Sequence, residues 1–232
     1  MSHKRAYHTV IFDVGGTLVG FEEDAPFDEF LSTVNAPHRF VSGSDLRLTM
    51  LHTLSLRRHE AVGLGKDDDG VNNWWLIIFE DLFPQSPATA RRMWELFKIN
   101  YFDSLFADTL PILNFLKARG VPMGILSNYG THLLDLLPKL GIFEYFDFIV
   151  VSAIVGVTKP DPKIFQIVID EAGVPPHQLI YIGDNVVDDI QGANNMGIEA
   201  LLINRPGREP SRAEFTIDSL MEIKKFIFPN EE

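Results

Sequence analysis

The sequence predicts an α/β fold: a doubly wound parallel sheet with a helical subdomain inserted after its first strand. Three observations predict it. Five short apolar, β-branched runs, at 8–13, 122–126, 147–151, 178–182 and 198–203, read as continuous apolar stretches more than as alternation, which suits strands covered on both faces. Helical patterns separate the later runs, and strands alternating with helices imply right-handed crossovers between parallel neighbours. The first gap, residues 20–104, is far too long for one crossover and holds several amphipathic segments without a convincing strand.

The first run, "HTVIFD", ends on Asp13 and is followed by Val14 and two glycines, Gly15 and Gly16. The segments "PFDEFLSTV", "SDLRLTMLHTLSLRRHEAV", "VNNWWLIIFEDLF" and "ATARRMWELFKINYF" then read as helices. Hinges near Gly20 and Ser104 divide the chain into a core of residues 1–19 and 105–232 and a cap of 20–104. Within the cap, Trp74, Trp75, Phe79, Trp94 and Phe97 are expected to pack inward, with one of them available to face a ligand. Arg57 and Arg58 are expected on a solvated helix face, and His52 and His59 on the surface or packed within the cap. "KDDDG" at 66–70 matches a fragment of a calcium loop but lacks its later glutamate, so it reads as a cap loop.

After the cap, "TLPILNFLKARG" closes on Lys, Arg and Gly120, a helix C-terminal signal. "DPKIFQIVIDEAG" opens with Asp161 as N-cap and Pro162 in the first turn, and stops at Gly173. "VVDDIQGANNMG" closes on Gly197.

With 232 residues, 46% of them apolar, the chain suits one large domain or a domain with an insert. No uncharged apolar run approaches the ~18 residues that span a bilayer. The basic N-terminus "MSHKRAYHTVIFD" is interrupted by an aspartate and lacks a small-residue cleavage site, so no signal peptide is expected. The absence of cysteine excludes disulfides and thiolate metal sites, and a cytoplasmic location follows as the expectation. A net charge of −12 opposes binding to phosphate backbones. The expected partner is a small molecule, with neither nucleic acid nor membrane, and the chain is expected as a monomer or homodimer.

Ligands of open parallel sheets sit at the carboxyl ends of the strands. Asp13 ends the first run, Ser127 and Asn128 follow the second, Lys159 lies in "GVTKPDP" after the third, and Asp184 follows the fourth, with Asp188 and Asp189 opening the next helix. A carboxylate, a hydroxyl, an ammonium and an acid cluster on one edge suit phosphoryl transfer. Asp13 would attack phosphorus, forming an aspartyl phosphate. Mg²⁺ on Asp13 and Asp184 would screen the repulsion between the two anions. Lys159 and Ser127 would stabilise the transferring oxygens.

The quartet "DVGGTL", "LSN", "KPDPKIF" and "GDNVVDD", in this order, resembles the haloacid dehalogenase-like hydrolase superfamily over residues 8–20 and 105–205. The resemblance implies a three-layer α/β sandwich with the first strand central and a cap between the first two motifs. By position it implies Asp13 as nucleophile and Asp184 as metal ligand. Gly16, Thr17, Ser127, Asn128 and Lys159 form the implied phosphate-binding set, and Lys159 balances charge. The Gly15 carbonyl and Asp189, with Asp188 as the alternative, complete the implied Mg²⁺ site.

One position departs from the pattern. Phosphatases of this superfamily carry a second aspartate two residues after the nucleophile, where this chain has Gly15. Glycine keeps the carbonyl and loses the acid that protonates the leaving alcohol, a contribution of about 10²–10⁴-fold. Slow hydrolysis of alkyl phosphates is therefore expected, with acyl or aryl phosphates less affected. The alternatives are a metal- and phosphate-binding protein with negligible turnover, a haloacid dehalogenase, or a phosphonatase. Dehalogenases carry a different fourth motif, and a phosphonatase needs a cap lysine, for which the cap offers only Lys66 and Lys98.

Overall fold

The computed structural model describes residues 6–57, 60, 64–205 and 213–229. Five strands fall within about one residue of the apolar runs: β1 (Thr9–Phe12), β4 (Met123–Ser127), β5 (Phe148–Val151), β6 (Leu179–Gly183) and β7 (Glu199–Ile203). A short β8 (Thr216–Ile217) extends the sheet, whose order is β5-β4-β1-β6-β7-β8 with every pairing parallel. The first strand is internal, hydrogen-bonded to β4 on one side and β6 on the other.

Alternation along the strands builds two cores. Val10, Phe12, Met123, Ile125, Ile180, Ile182 and Leu201 join one cluster with α5 (Thr109–Ala118) and α6 (Leu133–Lys139). Ile11, Leu126, Tyr181, Ala200 and Leu202 join another with α8 (Pro162–Ala172). Successive strand residues point to opposite faces, so both faces are covered and the molecule is the expected three-layer, doubly wound sandwich. α8 begins as its sequence signals require, with Asp161 accepting from the Lys163 N–H at 2.9 Å.

Among the described residues, the segment 20–104 supplies four α-helices: α1 (Ala25–Ser32), α2 (Gly43–Arg57), α3 (Asp68–Leu82) and α4 (Pro87–Lys98). Phe27, Phe30, Leu46, Met50, Ile78, Phe79, Met93 and Phe97 bury their side chains in a third cluster of their own. At about 1.5–3 kcal/mol for each such side chain, this layer is held together without borrowing either sheet core. Its chain enters and leaves through a pair the sequence patterns do not register, β2 (Val19–Gly20) and β3 (Ser104–Leu105), in which Gly20 faces Ser104. Two-residue strands are too short to display a period, which also hides β8.

"KDDDG" forms the start of α3: Asp67 caps it by accepting from the Gly70 N–H at 2.7 Å. Asp68 reaches across to the loop after β4, accepting from the Thr131 N–H and hydroxyl at 2.7 and 2.6 Å. "VVDDIQGANNMG" is helical, but its first part (Val186–Gln191) winds as a π-helical turn before α9 (Gly192–Asn195). Among the described residues no helix is long and apolar enough to cross a membrane.

Candidate active site

Asp13 leaves the end of β1, its N–H bonded to the Ile182 carbonyl of β6 at 2.8 Å. The chain then turns through Gly16, whose φ of 84° suits a residue without Cβ. Ser127, at the end of neighbouring β4, donates its hydroxyl to Asp13 Oδ1 at 3.0 Å. Lys159 donates to the same Oδ1 at 2.8 Å and to Asp189 Oδ1 at 2.6 Å. It also donates to the Tyr181 hydroxyl at 3.0 Å. These side chains are buried.

Asp189 enters from the π-helical turn. Asn185 opens that turn by accepting from the Val187 and Asp188 N–H groups, and its own N–H donates to Asp189 Oδ2 at 2.9 Å. The Asp189 carboxylate packs over Gly183, where an added Cβ would lie 2.3 Å from its Cγ. Glycine at the tip of β6 is thus a requirement of this acid. Asp188 instead accepts from the Asn185 amide at 3.0 Å.

Asp13, Asp184 and Asp189 offer oxygen atoms that all lie within 4.8 Å of one another, each residue buried. Burial drives the Asp13 carboxyl up to about 6; Lys159 opposes this, while Asp189 and Asp184 reinforce it. Burial alone would lower the Lys159 ammonium, yet Asp13 and Asp189 hold it above its ordinary value. Two of the three clustered carboxylates, Asp13 and Asp189, therefore share one ammonium. A compact set of hard oxygen donors with surplus negative charge suits a divalent cation such as Mg²⁺. The residues present fit that ion.

The acids form the floor of a cavity of about 210 Å³ beneath the helical layer. Gly15, Gly16, Ser127, Asn128 and Lys159 line it together with the three aspartates. Thr17 does not: it is buried below the turn, its carbonyl accepts from Arg205, and its hydroxyl has no partner among the described residues. Asn128 reaches the cavity but bonds the main chain of Lys159. A Cβ added at Gly15 meets nothing within 4 Å, so the absence of a side chain there is not a packing constraint.

Trp74, Trp75 and Phe97 of the helical layer face this cavity, whereas Phe79 and Trp94 pack within the layer. Arg57 is engaged by Asp81 and Glu60, His52 is exposed, and Arg58 and His59 lie outside the described residues. Lys66 is exposed and Lys98 pairs with Glu95; neither lines the cavity. Sequence reasoning missed Tyr181, whose only signal is a hydroxyl in an otherwise apolar strand run, and Asp103, which lines the cavity from the edge of β3.

A sequence profile described as haloacid dehalogenase-like hydrolase matches residues 7–197. The chain is 30% identical over 220 residues to haloacid dehalogenase-like hydrolase domain-containing protein 3 of Bos taurus, covering 89% of this chain and 85% of that protein. It is 32% identical over 139 residues to the glyceraldehyde 3-phosphate phosphatase of Methanopyrus kandleri, covering 54% of this chain and 60% of that one. A solved structure titled as a dehalogenase superimposes with a TM-score of 0.71 at 21% identity, covering 97% of this chain and 98% of that one, a likeness of fold.

Proposed function

Because this chain belongs to the haloacid dehalogenase-like hydrolases, we propose that it hydrolyses the phosphoric monoester of a small metabolite, with Asp13 as nucleophile. The observation that carries this reading is the pairing of Asp13 with both an ammonium and two further carboxylates in one buried site. Ser127 and Lys159 fix the orientation of the Asp13 carboxylate through Oδ1. That carboxylate attacks phosphorus while the bond to the leaving oxygen breaks, and water then cleaves the aspartyl phosphate. Lys159 offsets charge on the phosphoryl oxygens throughout, and Ser127 donates to one of them. Asp13, Asp184, Asp189 and the Gly15 carbonyl would hold Mg²⁺, which supplies screening of the repulsion between nucleophile and phosphate. The segment 20–104 acts as a lid over the core of 1–19 and 105–232, excluding bulk water while phosphoryl is transferred.

Turnover of a phosphate-ester panel with Mg²⁺ and with chelator tests this proposal. Activity that needs the metal and is lost in Asp13→Asn is expected; activity that survives in both conditions overturns it. A second reading, phosphate and metal binding with negligible turnover, is favoured by the missing acid at Gly15. It predicts tight ester binding that remains without turnover after Gly15→Asp. The positions of Lys66 and Lys98 away from the cavity disfavour Schiff-base phosphonate chemistry.

A further inference from the structure

We propose that the substrate is the phosphate ester of a planar aromatic hydroxyl, its ring seated against Trp74, Trp75 and Phe97 while its phosphoryl group faces Asp13. This assignment rests on the reading of Asp13 as the nucleophile and narrows what the site takes.

The leaving group is constrained first. Position 15 offers no carboxyl to protonate a departing oxygen, although there is open space for one. An unprotonated alkoxide is nearly as basic as hydroxide, whereas the conjugate acid of a phenolate has a pKa of about 10. A phenolate departs with the electron pair of the broken P–O bond and needs no proton at that moment. When water later cleaves the aspartyl phosphate, one of its protons stays on the phosphate and the other passes to the expelled phenolate through solvent. The Asp13 carboxylate is regenerated, and atoms and charge balance.

The cavity selects the same class independently. Opposite its acidic floor the helical layer presents an apolar wall that includes Leu51, Leu54 and Val71 beside the three aromatic side chains. The Trp75 and Phe97 rings lie 4.0 Å apart between centroids, and Trp74 meets Trp75 edge-on at 5.1 Å. Such a corner accepts a further ring by stacking or edge contact. Sugar hydroxyls packed on these rings would lose water there without gaining partners. The volume, about 210 Å³, is below the ~300–1,000 Å³ of sites for drug-sized ligands, which limits the site to a small ester. Ser55 and Asp103 interrupt the apolar lining with polar side chains.

Four probes compared with Mg²⁺ present test the assignment: phenyl phosphate, cyclohexyl phosphate, ribose 5-phosphate and acetyl phosphate. Phenyl phosphate is expected to exceed the cyclohexyl and ribose esters in kcat/KM by about 100-fold or more. Trp75→Leu is expected to lower the phenyl-to-acetyl ratio of kcat/KM about tenfold. Non-hydrolysable phenylphosphonate provides a readout without turnover on the unaltered chain: it should quench tryptophan fluorescence and inhibit at concentrations where methylphosphonate does neither. Turnover of acetyl phosphate with equal rates on phenyl and cyclohexyl esters, or equal binding of the two phosphonates, overturns the aromatic assignment and leaves the Asp13 reading standing. No turnover of any probe overturns the Asp13 reading, and this assignment with it.

Discussion

The side-chain amide of Asn128 grips the main chain of Lys159 on both sides: its Oδ1 accepts from the Lys159 N–H at 2.8 Å, and its Nδ2 donates to the Lys159 carbonyl at 3.1 Å. The amide thus acts as a one-residue strand that sets the height at which the Lys159 ammonium meets Asp13. Asn128→Ala is expected to lower kcat by about 10–100-fold, since small misplacements of this kind are that expensive. Mg²⁺ affinity should change little, and calorimetry alongside steady-state kinetics checks both.

Lys159→Met removes the ammonium between Asp13 and Asp189 and leaves two buried carboxylates facing each other. Breaking one partner of such a group typically destabilises by about 3–5 kcal/mol. Chemical denaturation should register that loss at neutral pH, with partial recovery when Mg²⁺ is added. Turnover is expected to fall by at least about 100-fold even in the refolded, metal-saturated protein.

Gly15→Asp places a carboxyl where an added Cβ meets no atom within 4 Å. Stability is expected to stay within about 0.5 kcal/mol of the parent, as for surface substitutions free of strain. Alkyl phosphate turnover should rise by about 10²–10⁴-fold, while phenyl phosphate turnover changes far less. A melting curve and the ratio of the two rates are the measurements.

Proton and cation compete for Asp13. Its carboxyl is raised to about 6 in the metal-free protein, chiefly by burial, so it is charged above that pH and protonated below it. Mg²⁺ affinity is therefore expected to be flat above about pH 7 and to fall close to tenfold for each unit below about 6, where one proton must leave for each ion bound. Titrations at pH 5 in buffers of different ionisation enthalpy count that proton.

Asp103 is raised to about 7, again mainly by burial, with Lys139 pulling the other way. Between the ordinary carboxylate value near 4 and about 7 the folded protein holds a proton that the unfolded chain has released, so stability falls as pH rises through that window. Asp103→Asn removes the charge and the slope. It is expected to stabilise by about 1–3 kcal/mol at pH 8 and by little at pH 4, read from denaturant midpoints at the two pH values.

The sheet was legible because its strands are buried on both faces, so apolar runs alone mark them to within about one residue. The same uniform apolarity conceals face assignment. Nothing in "QLIYI" says that Tyr181 turns its hydroxyl toward Lys159 while Ile180 and Ile182 enter the other core. Adjacent acids pose a related difficulty. Spacing favours Asp189 over Asp188 but says nothing of their surroundings: the π-helical winding of that turn lays Asp189 over the bare surface of Gly183, while Asp188 bonds the Asn185 amide and also lines the cavity. Asp103 carries no motif, and its position follows from the pairing of Gly20 with Ser104 across 84 residues of sequence.

That last pairing has an engineering consequence. Opposed residues in an antiparallel ladder stand about 4.5–5.5 Å apart, a gap that a tight two-residue turn closes. Replacing the four-helix segment by a two-residue turn between Gly20 and Ser104 is therefore expected to leave both sheet cores in place, and a helical segment from another member of the family is expected to enter through the same doorway.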